Sequence, residues 1–463
     1  MCNMRDQYGK VFGLNFASTN SLVVGDLAML QEILISRFSA FPNHPKIPVE
    51  EKPMDSAINN LRDNHWRVVR NTLSPAFSSK KMKQMNPLIK DCCDQLLQNV
   101  EEQRSKGTVL QFKSLYGSYS MDVIASTFFG LKVNSQKNPN DPFVKNAKKC
   151  FEGSFFSIRL LAVFLLPWLG PVFDLLDIGI FDKEVKVFFH SVTSKVVKAR
   201  QNGEGRLDML QLMLNAHKTE LEGEKGKQDD DEDDEDEMVT LNDETAPSIQ
   251  KQPFTIDAIM ANSMMFFLAG YETTNACLCF SSYLLATHPE MQERLIEEVD
   301  KFCPSEESVC YEVFSKMEYL DAFVRESLRI YPPVATADRR CDNTTTVNNY
   351  KIGKGTNIMI PIYAIHHDPD VWDNPEEFRP ERFSKENLPN IHPAAWLPFG
   401  VGPRKCLGLR LALMEIKFAL IRMLQKYRFE TCEETEIPPV LSKKTGFICP
   451  PNGIKLQVKP RKC

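Results

Sequence analysis

From Thr255 to Thr287 the chain runs without a proline, apolar over most of its length, and reads as one long helix. Thr255 is placed to cap it, with Asp257 in the first turn where the helix dipole favours an acid. His288-Pro289 marks its end. Gly270 stands in the middle and costs such a helix about 1 kcal/mol relative to alanine. A helix that accepts this cost needs something to approach its backbone closely.

The organisation around this element is mostly helical. Val11 to Val24 alternates like short strands, and a helix follows over Leu27 to Ser36. Helical periodicity recurs from Asn64 to His217, broken by Pro and Gly at plausible turns. Beyond the long helix the spacing predicts helices over Glu290–Phe302 and Met317–Ile330, then short strands near Tyr350–Ile362. There is no internal repeat and no clean linker, so residues 1–463 are expected to form one large domain. Residues 221–252 are polar and acidic with almost no apolar anchors, the pattern of a disordered surface insert.

Hydrophobic content of 43% and charged content of 25% are those of a soluble globular core. Nine consecutive acids, Asp229 to Glu237, outweigh the net charge of −5, so the remainder is mildly basic. No basic stripe with interleaved aromatics appears, which argues against a nucleic-acid partner. The 13 cysteines are odd in number and lack framework spacing, and Cys277-x-Cys279 has no second half of a zinc site. Most are expected to be small buried hydrophobes in a reducing compartment. No leader or membrane-length span opens the chain. The longest apolar stretch, Leu160 to Gly170, contains Pro167 and is too short to cross a bilayer. It reads as a core helix or, with Phe155, Phe156 and Trp168 nearby, as a segment dipping into a membrane surface.

The chemistry centres on "PFGVGPRKCLG", Pro398 to Gly408. Cys406 follows Arg404 and Lys405 and precedes an apolar helix, Leu407 to Met423. Positive charge and a helix N-terminus both favour a thiolate, suited to a redox thiol, a nucleophile or a metal ligand. A phosphate loop is excluded here, because Lys405 stands where a further glycine is needed and Pro403 removes an amide. Three other stretches bear on the choice. Glu326 and Arg329 share one helical face at i, i+3, which alone is background. Arg382, in "PERF", could join them. "LAGYETT", Leu268 to Thr274, occupies the middle of the long helix.

Together these residues resemble the cytochrome P450 family. Phe399, Gly402, Arg404, Cys406 and Gly408 fit its haem-binding signature, and Glu326-x-x-Arg329 fits its helix-K motif. Arg382 takes the place of its meander arginine. Ala269-Gly270-x-Glu272-Thr273 fits its oxygen-binding helix, and Trp66-x-x-x-Arg70 its helix-C motif. The matches occur in the family's order across nearly the whole chain. The resemblance implies a mainly α fold with small β-sheets (α+β), with haem b between the long helix and the Cys406 loop.

Cys406 would then supply the proximal thiolate to the haem iron, a ligand that favours O–O cleavage. Phe399 would shield the sulfur, and Gly402 and Gly408 would let backbone approach the porphyrin. Arg404, Arg70 with Trp66, and Arg339, or its neighbour Arg340, would meet the two propionates. Glu326, Arg329 and Arg382 would form a buried ion network, while Thr273 would position a proton donor fed by Glu272. A passive haem sensor or carrier has no use for such a relay.

The resemblance is strongest to the clan that holds the 3-family monooxygenases and thromboxane synthase, through "FLAGYETT", "HHDPDVW" and "FRPERFS". It implies a monooxygenase of lipophilic substrates served by NADPH–cytochrome P450 reductase. The alternative is an isomerase that rearranges a prostaglandin endoperoxide without reductase, although mammalian thromboxane synthase carries isoleucine where this chain has Thr273. The insert, "YLLATHPEMQERLIEEVD" and "PPNGIKL" lean towards the latter. Members of the clan begin with a membrane-anchoring helix absent from this chain, which implies the cytoplasmic face of the endoplasmic reticulum membrane. The 30 phenylalanines suit an apolar cavity.

Overall fold

The computed structural model describes residues 1–152 apart from 17–18, 47–53, 136 and 139; residues 169, 172, 183–201 and 209–222; and residues 255–461 apart from 443–446. The acidic stretch 223–252 and, save Leu169, the apolar segment 160–170 lie outside the described residues, as do Phe155, Phe156 and Trp168. Among the described residues no helix is long and apolar enough to cross a membrane.

The long helix spans Ile256–Thr287, and Thr255 caps it by accepting a hydrogen bond from the Ala258 amide at 3.2 Å. Its residues are buried on nearly every side, because it runs through the middle of the largest core cluster. Against it pack helices Phe112–Phe128 and Leu409–Lys426, with Ser79–Ser105 behind them. Phe112–Phe128 is itself buried all round, so neither helix shows a polar face. The glycines on this seam are contact points. A Cβ on Gly270 would lie 3.0 Å from Ile124 Cδ1, and one on Gly117 would lie 3.0 Å from the Tyr271 hydroxyl. The close approach expected at Gly270 is therefore that of a neighbouring helix. Each large aliphatic or aromatic side chain so buried contributes about 1.5–3 kcal/mol.

A second cluster lies under a four-stranded sheet. Val11–Phe16 pairs antiparallel with Thr19–Val24, which lies parallel to Asn357–Ile360, and Ala337–Arg340 closes the far edge antiparallel to it. A single bridge, Asn43 to Arg340, carries the segment after Phe41 onto that edge. The predicted helix over Leu27–Ser36 is α-helical only to Gln31, and Glu32–Ser36 widens into a π turn. Helix Glu318–Ile330 packs into the largest cluster, and the short helix Ile362–His366, which touches it, contributes Ile362 and Ile365 to the second. The mainly α fold with small sheets expected from the sequence is the one observed.

Candidate active site

Cys406 sits at the close of a loop held by its own backbone. Its amide donates to the Phe399 carbonyl at 2.8 Å, and the Lys405 amide donates to Gly402 at 2.9 Å. Gly402 has φ +75°, and a Cβ there would fall 2.1 Å from the Leu34 carbonyl. The close approach that requires glycine at 402 in this structure is to the Leu34 carbonyl. Gly408, by contrast, would meet nothing nearer than Phe77 at 4.0 Å. Phe399 is half-buried against Trp396.

The Cys406 side chain is exposed, although protein surrounds it on most sides. Burial pushes its thiol up, and the Gly408 amide with Arg70 and Lys405 pulls it back. Within the long helix Ala269 is likewise exposed, two residues from the fully buried Phe267. Phe266 and Leu407, one from each side, pack on the same cluster around Trp66.

Beside the thiol lies a group of cations, Arg339 buried and Arg70 and Arg404 half-buried. Arg404 stacks on Trp66 with its guanidinium 4.1 Å from the ring centre. It donates to the carbonyls of Pro42 and Leu61 and to Asn43 Oδ1. Arg70 donates to the Lys405 carbonyl at 2.9 Å. Arg339, only 5% exposed, donates to its neighbour's carbonyl, while its Nε has no partner. Burial, then repulsion from Arg339, Arg70 and Arg62, pushes Arg404 down to about 9; burial pushes Arg339 down to about 10. Arg340 instead pairs with Asp342, so Arg339 is the arginine placed with Arg404. Asn43, which the sequence does not flag, is a fully buried hub: it accepts from Arg404 and the Asp63 amide and donates to Asp63 and Asp342.

Asp63, bonded through Asn43, offsets part of the repulsion at Arg404. Arginines drawn together with no carboxylate among their own hydrogen bonds are a site for an anion. Haem b carries two carboxylates and an iron that takes a thiolate. The residues present therefore fit it, with Cys406 for the metal and Arg70, Arg339 and Arg404 for the carboxylates.

Glu326 and Arg329 are completely buried, with Arg329 donating to both carboxylate oxygens at 2.7 and 2.8 Å. Its other bonds go to the carbonyls of His366, Pro375 and Glu377. Arg382 reaches the same carboxylate at 3.3 Å. On the long helix, Thr273 donates to the Ala269 carbonyl at 2.6 Å. Burial pushes the Glu272 carboxyl up, with Lys113 and a hydrogen bond from Cys449 opposing.

The cytochrome P450 family model matches residues 1–458. The chain is 39% identical to rabbit (Oryctolagus cuniculus) cytochrome P450 3A6 over 462 residues, covering 99% of this chain and 86% of the relative. It is 39% identical to mouse (Mus musculus) cytochrome P450 3A11, with 98% and 86% covered. Pig (Sus scrofa) cytochrome P450 3A29 stands at 38% with the same coverage. These relatives fit the monooxygenase reading and do not favour the isomerase. An enclosed thiol, a cluster of arginines with no carboxylate among their own hydrogen bonds, and a match along nearly the whole length thus have one explanation: the chain belongs to the cytochrome P450 family, haem-thiolate monooxygenases that oxidise lipophilic substrates.

Proposed function

We propose that this chain oxidises a lipophilic substrate in the cavity between Cys406 and Ala269, with Thr273 and Glu272 managing protons. The observation that carries the reading is the enclosed Cys406 sulfur beside arginines with no carboxylate among their own hydrogen bonds. Haem b, bound there, supplies oxygen activation. Arg70, Arg339 and Arg404 hold its carboxylates, and the amide of Gly408 with Arg70 and Lys405 stabilises the thiolate. Thr273 commits its proton to Ala269, so Oγ1 offers only lone pairs to the cavity. It orients a water by accepting from it, and the water becomes the proton donor. Glu272 is the next group along and carries protons inward from the Lys113 side.

Electrons come from NADPH–cytochrome P450 reductase on the face near Lys405, where Arg67, Lys80 and Lys81 follow on adjoining helices. Rising salt should slow the first electron transfer, and a rate indifferent to ionic strength would remove that face. The setting is the cytoplasmic face of the endoplasmic reticulum membrane, with residues 1–463 as one domain.

Thr273→Ala tests the proton assignment. Haem content and substrate affinity should stay, while product per electron falls about tenfold and peroxide rises, within the usual worth of a positioned proton transfer. Unchanged coupling in an enzyme that does turn over would leave Thr273 with only its bond to Ala269. Thromboxane formed from prostaglandin endoperoxide without reductase would restore the isomerase.

A further inference from the structure

His366 joins two parts of the molecule that no motif connects. It ends the short helix Ile362–His366 and is fully buried. Its Nδ1 lies 3.1 Å from the Arg329 carbonyl, and its Nε2 lies 2.9 Å from the Leu397 amide nitrogen. A carbonyl can only accept and an amide N–H can only donate. The tautomer follows: Nδ1 carries the proton and Nε2 is the bare acceptor. Burial pushes its pKa down to about 3, so the ring is neutral at any working pH. Arg329 returns the contact, donating to the His366 carbonyl at 2.8 Å.

Leu397 is the last residue before Pro398, where the loop to Cys406 begins. Its carbonyl accepts from Gly400 at 3.1 Å, and the Phe399 carbonyl accepts from Cys406 itself at 2.8 Å. Pro398 has no N–H, so the Leu397 amide is the last backbone donor of this segment before the Phe399–Cys406 closure. Hydrogen bonds therefore run unbroken from Glu326 through Arg329 and His366 to Leu397, and the next carbonyl but one holds the cysteine.

We propose that His366 is a positioning residue for the thiolate: it ties the Leu397–Phe399 segment to the Glu326–Arg329 network and thereby fixes where Cys406 stands. This rests on Cys406 being the haem ligand. A merely space-filling His366 would need its shape and neither nitrogen. In the structure both nitrogens are used, by groups that no other described side chain serves.

The test compares wild-type holoenzyme with His366→Phe, which keeps a ring and loses both bonds, and His366→Gln, whose amide offers a donor and an acceptor. Reduced protein is exposed to carbon monoxide, and the thiolate-type absorption band is followed as it decays to the band of protonated or lost thiol. Amide hydrogen exchange at Leu397 is measured alongside. His366→Phe should shorten the life of the thiolate band and speed Leu397 exchange, each about ten- to thirtyfold, the scale of a buried donor left unpaired. Exchange in helix Glu318–Ile330 should hold, and His366→Gln should recover most of both losses.

Wild-type behaviour of His366→Phe on both readouts would overturn the proposal. If His366→Phe does not fold, His366→Gln decides. Retained thiolate with a protected Leu397 supports the tether, and thiolate lost while Leu397 stays protected overturns it. A wild-type protein without any thiolate band would instead sink the assignment of Cys406, while Leu397 exchange would still report on the tether.

Discussion

Two sets of buried arginines lie in this molecule under opposite terms. Arg329 has each of its donors matched to an oxygen, two of them on the fully buried Glu326. Arg339 and Arg404 face each other and Arg70 with no carboxylate among their hydrogen bonds, and one nitrogen of Arg339 has no partner. The first set is complete in itself and belongs to the architecture. The second is complete only when something anionic arrives. A buried charge compensated from within holds a fold together, and one left uncompensated specifies a ligand.

Breaking the complete set should cost most. Arg329→Ala or Glu326→Ala strands a charge with no water to take it, and about 3–5 kcal/mol should go. Urea unfolding and haem yield would show this as little haem-loaded protein. A variant that loads haem normally would move the network out of the architecture.

A lone acid sharpens the contrast. Asp122 is buried without a cation and accepts from the Ser135 amide at 3.0 Å, and burial pushes its pKa up to about 7. A carboxyl raised in the fold stabilises while protonated in both states, below about pH 4. That contribution is lost as the pH climbs through about 7. Asp122→Asn should therefore match wild type in urea near pH 4 and exceed it at pH 8 by about 2–4 kcal/mol. An equal gain at both values would mean that the carboxyl does not titrate there.

The open set gives the smallest effect and the most telling sign. Arg339→Met should leave the haem-free protein as stable or slightly firmer, since it removes a repelled charge. The loaded protein should release haem faster by about 10- to 100-fold, for a charge-assisted contact of about 1.5–3 kcal/mol. Destabilisation of both forms alike would make Arg339 a second Arg329.

The sequence made legible what is written locally. The long helix and its Thr255 cap, the early strands, and the acid–arginine spacing of 326 and 329 all follow from neighbours a turn or two apart. So does the loop around Cys406. What escaped it depends on partners far along the chain. Gly402 looks like a residue making room for a cofactor, yet its partner is the Leu34 carbonyl. His366 stands in a stretch that marks the clan but carries no spacing to suggest that it reaches both Arg329 and Leu397. Asn43 and Asp122 show no pattern, because a lone polar residue in a helix or turn is ordinarily on the surface.

The meeting of Gly402 and Leu34 also bears on the order of assembly. Leu34 leaves the ribosome when most of the chain is still unmade, and Gly402 is among the late arrivals. The cysteine loop has a carbonyl pressed where a side chain would be, so it takes its shape against an N-terminal surface that has waited through nearly all of synthesis. Closing so long a loop adds only logarithmically to the entropic cost, but it makes the contact slow to find. The thiolate pocket is thereby among the last parts to form, and a chain that has not yet made this contact has nowhere to hold iron.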